Sequence, residues 1–345
     1  MGKSKKRIGI LTAGGDCPGL NAAIRGIGKT AIIEYGMEII GFRSGYSGLI
    51  TNDYVELKEA QLSGILTLGG TILGTSREKP YKGTSNAGVI QEGPGAIVRN
   101  YHQLELDALV CIGGNGTMKT AHLLSKERLH IIGIPKTIDN DVWGTDITFG
   151  FESAVDIATE AIDRLHTTAN SHQRVMIIEV MGHNAGWLAL YSGTAGGGDI
   201  ILIPELPYNI DSVCSKILKR FEDQKPYSIV VVAEGIEKPE KRNAANYLAE
   251  IIQTKTGIET RETVLGYIQR GGSPSPFDRV LATRYGAFAA QCIADGNFGT
   301  MAAIIDNKTV AVPLSEVGGK TRLVNPDHFL VQIARRMGIS FGDES

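Results

Sequence analysis

Two carboxylates, a hydroxyl and an ammonium group follow one short apolar run of the sequence. Residues 132–141 read IGIPKTIDND, so Lys136, Thr137, Asp139 and Asp141 come directly after the apolar segment. Charged groups beside a dry interior need partners, because burying an unpaired charge is costly. We interpret the stretch as a site where a carboxylate takes a proton from a hydroxyl that lies next to a phosphate group. From these residues alone, the alternative is that both aspartates cap the next helix.

Two glycine turns each follow an apolar run and precede a helical pattern. The first is AGGD after residues 7–12, and the second is GGNGT at residues 113–117. Such a turn directs backbone N–H groups and a helix N-terminus at one point, which suits a phosphate. The first turn lacks the G-x-G-x-x-G spacing of a dinucleotide site, and the chain has no G-x-x-x-x-G-K-[ST] motif. A plain strand-to-helix turn is the alternative.

The elements that must position these groups alternate along the chain. Strands are predicted at residues 7–12, 37–42, 106–112, 130–134, 174–180, 199–203, 227–233 and 262–265, with a strand pair within 301–312. Helices are predicted at residues 21–35, 118–127, 151–170, 277–294 and 327–337. This alternation predicts an α/β fold. Because loops after parallel strands converge at the carboxyl edge of a sheet, the polar loops predict one shared site.

Further candidate side chains lie in loops that contain glycine or follow a predicted strand. Tyr46 stands between two glycines, where its ring is able to stack on a flat ligand. Arg77 in the GTSR turn can bind phosphate oxygens through two N–H groups. Glu234 follows a strand. Arg261, Arg270 and Arg279 lie around Gly271 and Gly272, which two prolines follow, and cations on such rigid turns suit a sugar phosphate. The alternative for Tyr46 and Arg77 is an ordinary surface position.

Length and composition favour a globular protein of two domains. The 345 residues exceed the size at which one hydrophobic core usually stops growing. A net charge of -2 without a long Lys/Arg run argues against nucleic acid as a partner. The four cysteines form no C-x-x-C pair, so no zinc or redox motif is visible and a reducing cytoplasm fits best. No apolar run approaches the roughly 18 residues of a membrane span, so no membrane partner is expected.

Seven sequence blocks in order make the chain resemble the phosphofructokinases, the family that phosphorylates the 1-hydroxyl of fructose 6-phosphate. The blocks are TAGGDCPGLNAAIR at 12–25, GTSR at 74–77, GGNGT at 113–117, PKTIDND at 135–141, SHQRV at 171–175, MGHNAG at 181–186 and LGYIQRGGSP at 265–274. The resemblance runs almost from end to end. It implies two three-layer α/β domains with mostly parallel central sheets and the active site in the interdomain cleft. It also implies a cytoplasmic homotetramer of the glycolytic pathway.

The resemblance further implies a division of labour between the domains. Residues 1–150 plus about 268–310 are expected to bind the phosphoryl donor, and residues 151–267 plus about 311–345 are expected to bind the sugar phosphate. The implied reaction transfers a phosphoryl group from ATP to fructose 6-phosphate with Mg²⁺, and the product is fructose 1,6-bisphosphate.

Roles for individual residues follow from the matching positions. Asp139 matches the general base, Thr137 the contact to the transferring phosphoryl group, and Arg77 the bridge between donor phosphates, with Asp141 completing the catalytic set. Donor-binding positions are Gly15, Tyr46, Arg77, Gly114, Asn115, Gly116 and Thr117. Sugar-binding positions are Thr137, Asp139, Met181, Gly182, His183, Glu234, Tyr267 and Arg270, with Arg174 and Arg261 reaching the 6-phosphate from a neighbouring subunit.

Several positions depart from the family pattern. Asn115 replaces the usual magnesium-binding aspartate. Mg²⁺ is therefore expected to rely on the donor phosphates, on water and on Asp139 or Asp141. Asn115 is expected to be a weak ligand that binds directly or through water. His183 stands where ATP-specific bacterial enzymes usually carry arginine, and Tyr267 where they carry histidine. His166 replaces an effector-binding arginine, although Arg25 matches an effector position. The standard allosteric response is therefore not expected.

The identity of the donor rests on two positions that conflict. Gly116 favours ATP, because pyrophosphate users carry aspartate there and its side chain would collide with the α-phosphate of a nucleotide. Lys136 favours pyrophosphate, because typical bacterial ATP users carry glycine there. We favour ATP, since a clash excludes a ligand whereas an extra cation does not. The alternatives are a pyrophosphate-dependent enzyme, a catalytically silent nucleotide or sugar-phosphate binding protein, and a kinase with the GGDG loop of NAD kinases.

Overall fold

Strands and helices alternate along the chain, as its apolar runs predict. This computed structural model describes residues 5–81, 93–239 and 242–344. The strands are β1 (Arg7–Ala13), β2 (Glu38–Phe42), β3 (Tyr54–Glu56), β4 (Ala108–Gly113), β5 (Ile131–Pro135), β6 (Val175–Val180), β7 (Ile200–Leu202), β8 (Ser228–Ala233), β9 (Thr260–Val264), β10 (Thr300–Ile305) and β11 (Lys308–Pro313). The α-helices are α1 (Leu20–Ile33), α2 (Tyr46–Thr51), α3 (Gly93–Gln103), α4 (Asn115–Lys126), α5 (Phe151–His172), α6 (Trp187–Ala195), α7 (Ile210–Glu222), α8 (Ala244–Thr256), α9 (Pro276–Asp295), α10 (Leu314–Val317) and α11 (Phe329–Arg336), and a 3-10 helix spans Gly266–Arg270.

Every strand and helix that the sequence predicts is present, with ends that differ by a few residues. The strand β3, the helices α2, α3, α6, α7, α8 and α10 and the 3-10 helix were not predicted from the sequence. Helix α6 is buried along most of its length, so it lacks the polar face that gives an amphipathic pattern. The predicted α/β class with mostly parallel sheets is confirmed.

The chain divides into two compact units. The first comprises Met1–Thr137, Asp141–Glu152 and Arg270–Thr321, and the second comprises Ile138–Asn140, Ser153–Gln269 and Arg322–Ser345. The last crossing was expected near residue 310 but follows Thr321. The reason is that β11 pairs along its whole length with β10 and stays in the first unit.

The first unit is built on a seven-stranded sheet in the order β11-β10-β5-β4-β1-β2-β3. Its five inner strands run parallel, and the edge strands β11 and β3 are antiparallel to their neighbours. Helices α2, α3, α4 and α10 share one hydrophobic cluster with this sheet, while α1 and α9 pack against each other and against its strands. Glycines allow the close approach of α1 and α9, since a Cβ added at Gly286 would lie 2.5 Å from the Ala23 carbonyl oxygen.

The second unit is built on a four-stranded sheet in the order β7-β8-β6-β9, with all its strands parallel. The strands β6, β7 and β8 are fully buried, which explains their continuous apolar sequences. Helix α8 packs on β6, β8 and β9, α6 packs on β7 and β8, and α11 packs on α6. Within the described residues, none of the helices combines the length and apolar character that crossing a bilayer would need.

Candidate active site

Three loops of the first unit begin side by side at the carboxyl edge of its sheet. Ala13 at the end of β1 pairs with Gly113 at the end of β4, and Gly113 pairs with Pro135 at the end of β5. The glycine turn after β1, the start of α4 and the stretch after β5 are therefore adjacent. This is the convergence that the sequence predicts for the three loops.

Hydrogen bonds hold the GTSR segment beside the first glycine turn. The amide of Gly14 donates to the carbonyl of Ser76 at 2.9 Å, and the Thr75 hydroxyl donates to the carbonyl of Gly14 at 2.7 Å. Arg77 follows next along the chain and its side chain is exposed. An arginine, which can bind phosphate oxygens through two N–H groups, therefore follows directly on a segment bonded to this glycine turn.

Lys136 is buried at the same edge, with 3% of its surface exposed. Its ammonium group donates to the carbonyl of Gly15, and its backbone N–H donates to the carbonyl of Gly113 at 3.0 Å. The side chain therefore reaches from β5 to the turn after β1. A cation buried at this edge favours an anionic ligand.

A second cation lies against the first glycine turn. A Cβ added at Gly15 would lie 2.5 Å from Nη1 of Arg270, and this nitrogen donates to the carbonyl of Asp16 at 3.2 Å. The structure thus places Arg270 in the first unit, beside a predicted donor-binding turn. Burial raises the pKa of the nearby Cys17 to about 12, although the charges of Lys136 and Arg270 oppose the shift. The Cys17 thiol is therefore protonated near neutral pH and is no nucleophile.

The N-terminus of α4 is open toward solvent at Gly116. The helix begins at Asn115, earlier than predicted, and its cap residue Gly114 makes no side-chain capping bond. A Cβ added at Gly116 would meet no atom within 4 Å, so neither packing nor backbone conformation demands glycine there. Unpaired N–H groups at a helix N-terminus bind phosphates well.

Tyr46 was predicted to lie in a loop, but the structure places it in a helix. It begins the helix α2, and its ring is 2% exposed within the core of the first unit. Its hydroxyl donates to the carbonyl of Thr117 at 3.2 Å, and burial raises the pKa of the phenol well above its usual value. In this position the ring supports the first turn of α4 and has no free face for stacking on a ligand.

Asn115 and Asp141 are joined by two hydrogen bonds. The Asn115 amide nitrogen donates to the Asp141 carboxylate at 2.7 Å and to the Asp141 carbonyl at 3.1 Å. These two acceptors fix the orientation of the amide group. Its oxygen is buried and, among the described residues, has no hydrogen-bond partner. The amide oxygen is therefore left available to a cation or a water molecule.

The Asn115 amide oxygen and the Asp141 carboxylate fit a magnesium ion whose remaining ligands are water and phosphate oxygens. Within residues 5–81, 93–239 and 242–344, no group of three His, Cys, Asp or Glu side chains could hold a metal by itself. Magnesium usually binds through one or two carboxylates plus water and substrate phosphates. The Asp141 carboxylate and the Asn115 amide oxygen supply this kind of partial set, so they fit a magnesium ion that arrives with the donor phosphates.

Thr137 and Asp139 are both buried where the chain crosses between the units. The Thr148 hydroxyl donates to the carbonyl of Thr137 at 2.7 Å and fixes the backbone before the crossing. The next helix, α5, begins only at Phe151. Neither Asp139 nor Asp141 therefore directly precedes this helix in the sequence, as a simple N-cap residue would.

The loops after β6 and β8 meet in the second unit. The amide of His183 donates to the Glu234 carboxylate at 2.9 Å, and a Cβ added at Gly235 would overlap the His183 carbonyl. Gly182, between the half-buried Met181 and the exposed His183, has a φ of 136°. A cleft of about 460 Å³ adjoins these loops and is lined by Glu179, His183, Asn184, Glu234, Gly235, Lys238, Arg242 and Asn243. The structure therefore brings together four of the predicted sugar-binding residues.

Two predicted phosphate-binding arginines share one carboxylate. Nη1 of Arg174 lies 3.5 Å from Oε1 of Glu259, and Nη2 of Arg261 lies 2.7 Å from the same oxygen. Tyr267, in the 3-10 helix that follows β9, is 72% exposed. The arginine pair is already arranged around an anion, which in this structure is Glu259.

Local sequence patterns do not identify Glu259, Trp187, Glu205 or Arg322 as neighbours of the predicted site residues. Glu259 precedes β9 and Arg174 precedes β6, and the two strands pair from their first residues. Only knowledge of this pairing would have placed the two side chains together. Arg322 contacts Asn140 from 182 positions further along the chain, a distance that no local pattern reveals.

Comparison with known proteins gives a consistent picture. The family model described as "Phosphofructokinase" matches residues 7–293. The chain is 60% identical to the ATP-dependent 6-phosphofructokinase 3 of Bacteroides thetaiotaomicron over 97% of this chain and 100% of the relative. It is 56% identical to the ATP-dependent 6-phosphofructokinase of Spirochaeta thermophila over 98% of each chain. It is also 45% identical to the pyrophosphate–fructose 6-phosphate 1-phosphotransferase of Streptomyces coelicolor over 97% of this chain and 100% of the relative.

A solved structure has the same fold. The T-state phosphofructokinase of Pichia pastoris superimposes with a TM-score of 0.83 at 35% identity. The match covers 91% of this chain and 35% of the Pichia chain, so this chain spans about a third of that longer protein.

Proposed function

Since the chain belongs to the phosphofructokinase family, we propose that it transfers the γ-phosphoryl group of ATP to the 1-hydroxyl of fructose 6-phosphate, as in glycolysis. The observation that carries this proposal is the shared carboxyl edge of the first unit. There a glycine turn, the open N-terminus of α4 and the buried cation Lys136 all favour a chain of phosphates.

Gly116 supports ATP as the donor. A Cβ added at this position would meet no protein atom within 4 Å, so the fold itself does not require glycine there. The space beside the first turn of α4 is then available to the ligand, and ATP needs more of it than pyrophosphate does. Relatives named as ATP-dependent are 60% and 56% identical to this chain, against 45% for the pyrophosphate enzyme of Streptomyces coelicolor.

Lys136 favours pyrophosphate less strongly than its sequence position indicates. Its ammonium group already donates to the carbonyl of Gly15, so part of its hydrogen-bonding capacity is used within the protein. A buried lysine still contributes a positive charge that attracts phosphates of either donor. This residue therefore does not exclude ATP.

The chemistry assigned to the site is an in-line transfer. Asp139 accepts the proton of the sugar 1-hydroxyl, Thr137 contacts the transferring group, and Arg77 offsets the charge that builds up on its oxygens. A bound Mg²⁺ would neutralise charge on the donor phosphates, held by Asp141 directly and by Asn115 directly or through water. Gly15, Gly114, Asn115, Gly116 and Thr117 border the donor phosphates, whereas the buried Tyr46 acts only through its support of Thr117.

The sugar is assigned to the loops after β6 and β8 and to the segment after β9. Met181, Gly182, His183, Glu234, Tyr267 and Arg270 contact the sugar ring and its hydroxyls in this proposal. Arg174 and Arg261 bind the 6-phosphate of a neighbouring subunit's substrate. The active protein in this proposal is therefore an oligomer, a homotetramer. The free, buried cysteines fit the reducing cytoplasm as its location.

One coupled assay tests the proposal. The purified protein is supplied with fructose 6-phosphate and Mg²⁺, and fructose 1,6-bisphosphate is measured with ATP or with pyrophosphate as donor. We expect turnover with ATP and a turnover rate at least tenfold lower with pyrophosphate. A tenfold ratio corresponds to a free-energy difference of about 1.4 kcal/mol. A preference for pyrophosphate would favour the alternative that Lys136 supports, and turnover with neither donor would favour a silent binding protein.

A further inference from the structure

Asn140 lies between the two aspartates of the proposed catalytic segment in a left-handed backbone conformation. Its φ is 51° and the residue is 4% exposed. Asparagine adopts this conformation more readily than most other non-glycine residues, so Asn140 suits a tight turn at this position. The orientation of Asp139, the residue before, depends on this turn of the backbone.

Arg322 contributes a restraint on that turn from the far end of the chain. Its Nη1 donates to the carbonyl of Asn140 at 3.1 Å. Both residues belong to the second unit, so the contact lies within one compact body. A hydrogen bond from a guanidinium to a carbonyl in a part-buried position is stronger than one between neutral groups.

Trp187 holds the guanidinium group of Arg322 in place. The Arg322 Cζ lies 4.1 Å from the centroid of the Trp187 ring, and the indole N–H donates to the Arg322 carbonyl at 3.0 Å. Trp187 is itself buried at the start of α6. A planar cation stacked on an aromatic face is restricted in orientation, and this is a property of arginine that lysine lacks.

Glu205 fixes the backbone on both sides of this stack. Its carboxylate accepts from the amide of Gly186 at 3.0 Å, just before Trp187, and from the amide of Val324 at 2.8 Å, just after Arg322. Burial raises the pKa of Glu205, while the hydrogen bonds from these two amides oppose the shift. Arg322 is therefore held through its side chain and its backbone.

We propose that Arg322 is a positioning residue for phosphoryl transfer, which holds the left-handed turn at Asn140 and thereby the orientation of Asp139. This inference rests on the proposed function, in which Asp139 accepts the proton of the sugar hydroxyl. A purely structural role would lower the stability of the protein without singling out turnover. A positioning role lowers kcat, because a small displacement of a proton acceptor costs rate even when both substrates still bind.

The test compares Arg322→Met with Lys320→Met in the coupled assay, after turnover of the wild-type protein has been established. Lys320 is the matched control, because it also lies over an indole ring, that of Trp143 at 5.6 Å, and is exposed. We expect Arg322→Met to lower kcat by about 10- to 100-fold, with KM for ATP and for fructose 6-phosphate within about threefold of wild type. Lys320→Met should have wild-type kinetics.

Two further measurements separate positioning from loss of the fold. Trp143 and Trp187 are the two tryptophans of the chain, so in a Trp143→Phe background the emission of Trp187 reports on the stack directly. Arg322→Met should change that emission while the melting temperature remains close to that of the background. Arg322→Lys keeps the charge without the planar stack, so its kcat should lie between those of wild type and Arg322→Met.

Specific outcomes would overturn the inference. A wild-type kcat for Arg322→Met would do so, and so would a fall of kcat in Lys320→Met as large as that in Arg322→Met. If Arg322→Met does not fold, Arg322→Lys decides: a stable protein with unchanged kcat and changed Trp187 emission rules out positioning. No turnover of the wild-type protein with either donor would instead refute the proposed function.

Discussion

The side-chain amide of Asn115 donates to the carboxylate of Asp141 at 2.7 Å, and this bond joins the first turn of α4 to the stretch after β5. An aspartate at position 115 would place two carboxylates at the same separation. Like charges this close repel unless a cation lies between them. The asparagine therefore allows this edge of the sheet to be ordered without a metal ion.

The first prediction concerns Asn115→Asp. The variant loses a hydrogen bond to a charged group, a contribution of about 1.5–3 kcal/mol, and gains a repulsion. We expect a lower melting temperature than wild type without Mg²⁺, and a larger rise on adding Mg²⁺ than wild type shows. Asn115→Ser is the control, since it loses the bond but adds no charge and should show no such rise. Equal melting temperatures of Asn115→Asp with and without Mg²⁺ would contradict the argument.

A second prediction concerns Gly116→Asp. No atom lies within 4 Å of the Cβ position, so we expect the variant to be as stable as wild type. The new carboxylate should repel the phosphates of ATP, and like-charge contacts cost several kcal/mol, so kcat/KM for ATP should fall by about 100-fold or more. Gly116→Ala, which adds a side chain without charge, should lose far less. Steady-state kinetics with varied ATP make the comparison, and an unchanged kcat/KM in Gly116→Asp would rule out this account of donor choice.

Turnover of Asp139→Ala provides the third prediction. Without a proton acceptor kcat should fall by about 10²- to 10⁴-fold. Fructose 6-phosphate should still bind, which calorimetry can measure, because the other residues proposed to bind the sugar are unchanged. Asp146→Asn is a suitable control: this exposed carboxylate accepts from the amide of Asp306 and belongs to no proposed site. Turnover like that of wild type in Asp139→Ala would remove Asp139 from its role.

Local sequence patterns predicted the parts of the fold that local physics determines. The strands β4 and β5 are continuous apolar runs because both faces are covered, and such runs are readable without a structure. The short α2 was predicted as a loop because glycines lie on both sides of Tyr46. The burial of the Tyr46 ring could not be predicted from those glycines. A residue's burial depends on the elements packed over it, which the local pattern does not contain.

In the candidate site, too, local features were predictable from the sequence and contacts between distant elements were not. The glycine turns that we propose to bind phosphate were predictable, because glycine and polar residues directly follow apolar strands. The contacts Asn115–Asp141 and Arg322–Asn140 were not, because they join loops that only the folded sheets bring together. The side chains that we propose to position the site are therefore harder to find from sequence than those that we propose to react.

Glu259→Gln gives the last prediction, since Glu259 occupies the arginine pair that is proposed to bind the 6-phosphate of the sugar. Arg174 and Arg261 both face one oxygen of this carboxylate, at 3.5 Å and 2.7 Å, so a phosphate must displace it or share its partners. Part-exposed ion pairs contribute about 0–1 kcal/mol, so removing the charge should lower KM for fructose 6-phosphate about two- to fivefold, with kcat unchanged. Glu262→Gln is the control, because this carboxylate on β9 accepts from the Asn246 amide and, among the described residues, pairs with neither arginine. A KM that stays the same or rises in Glu259→Gln would show that the carboxylate does not compete with the substrate for the arginines.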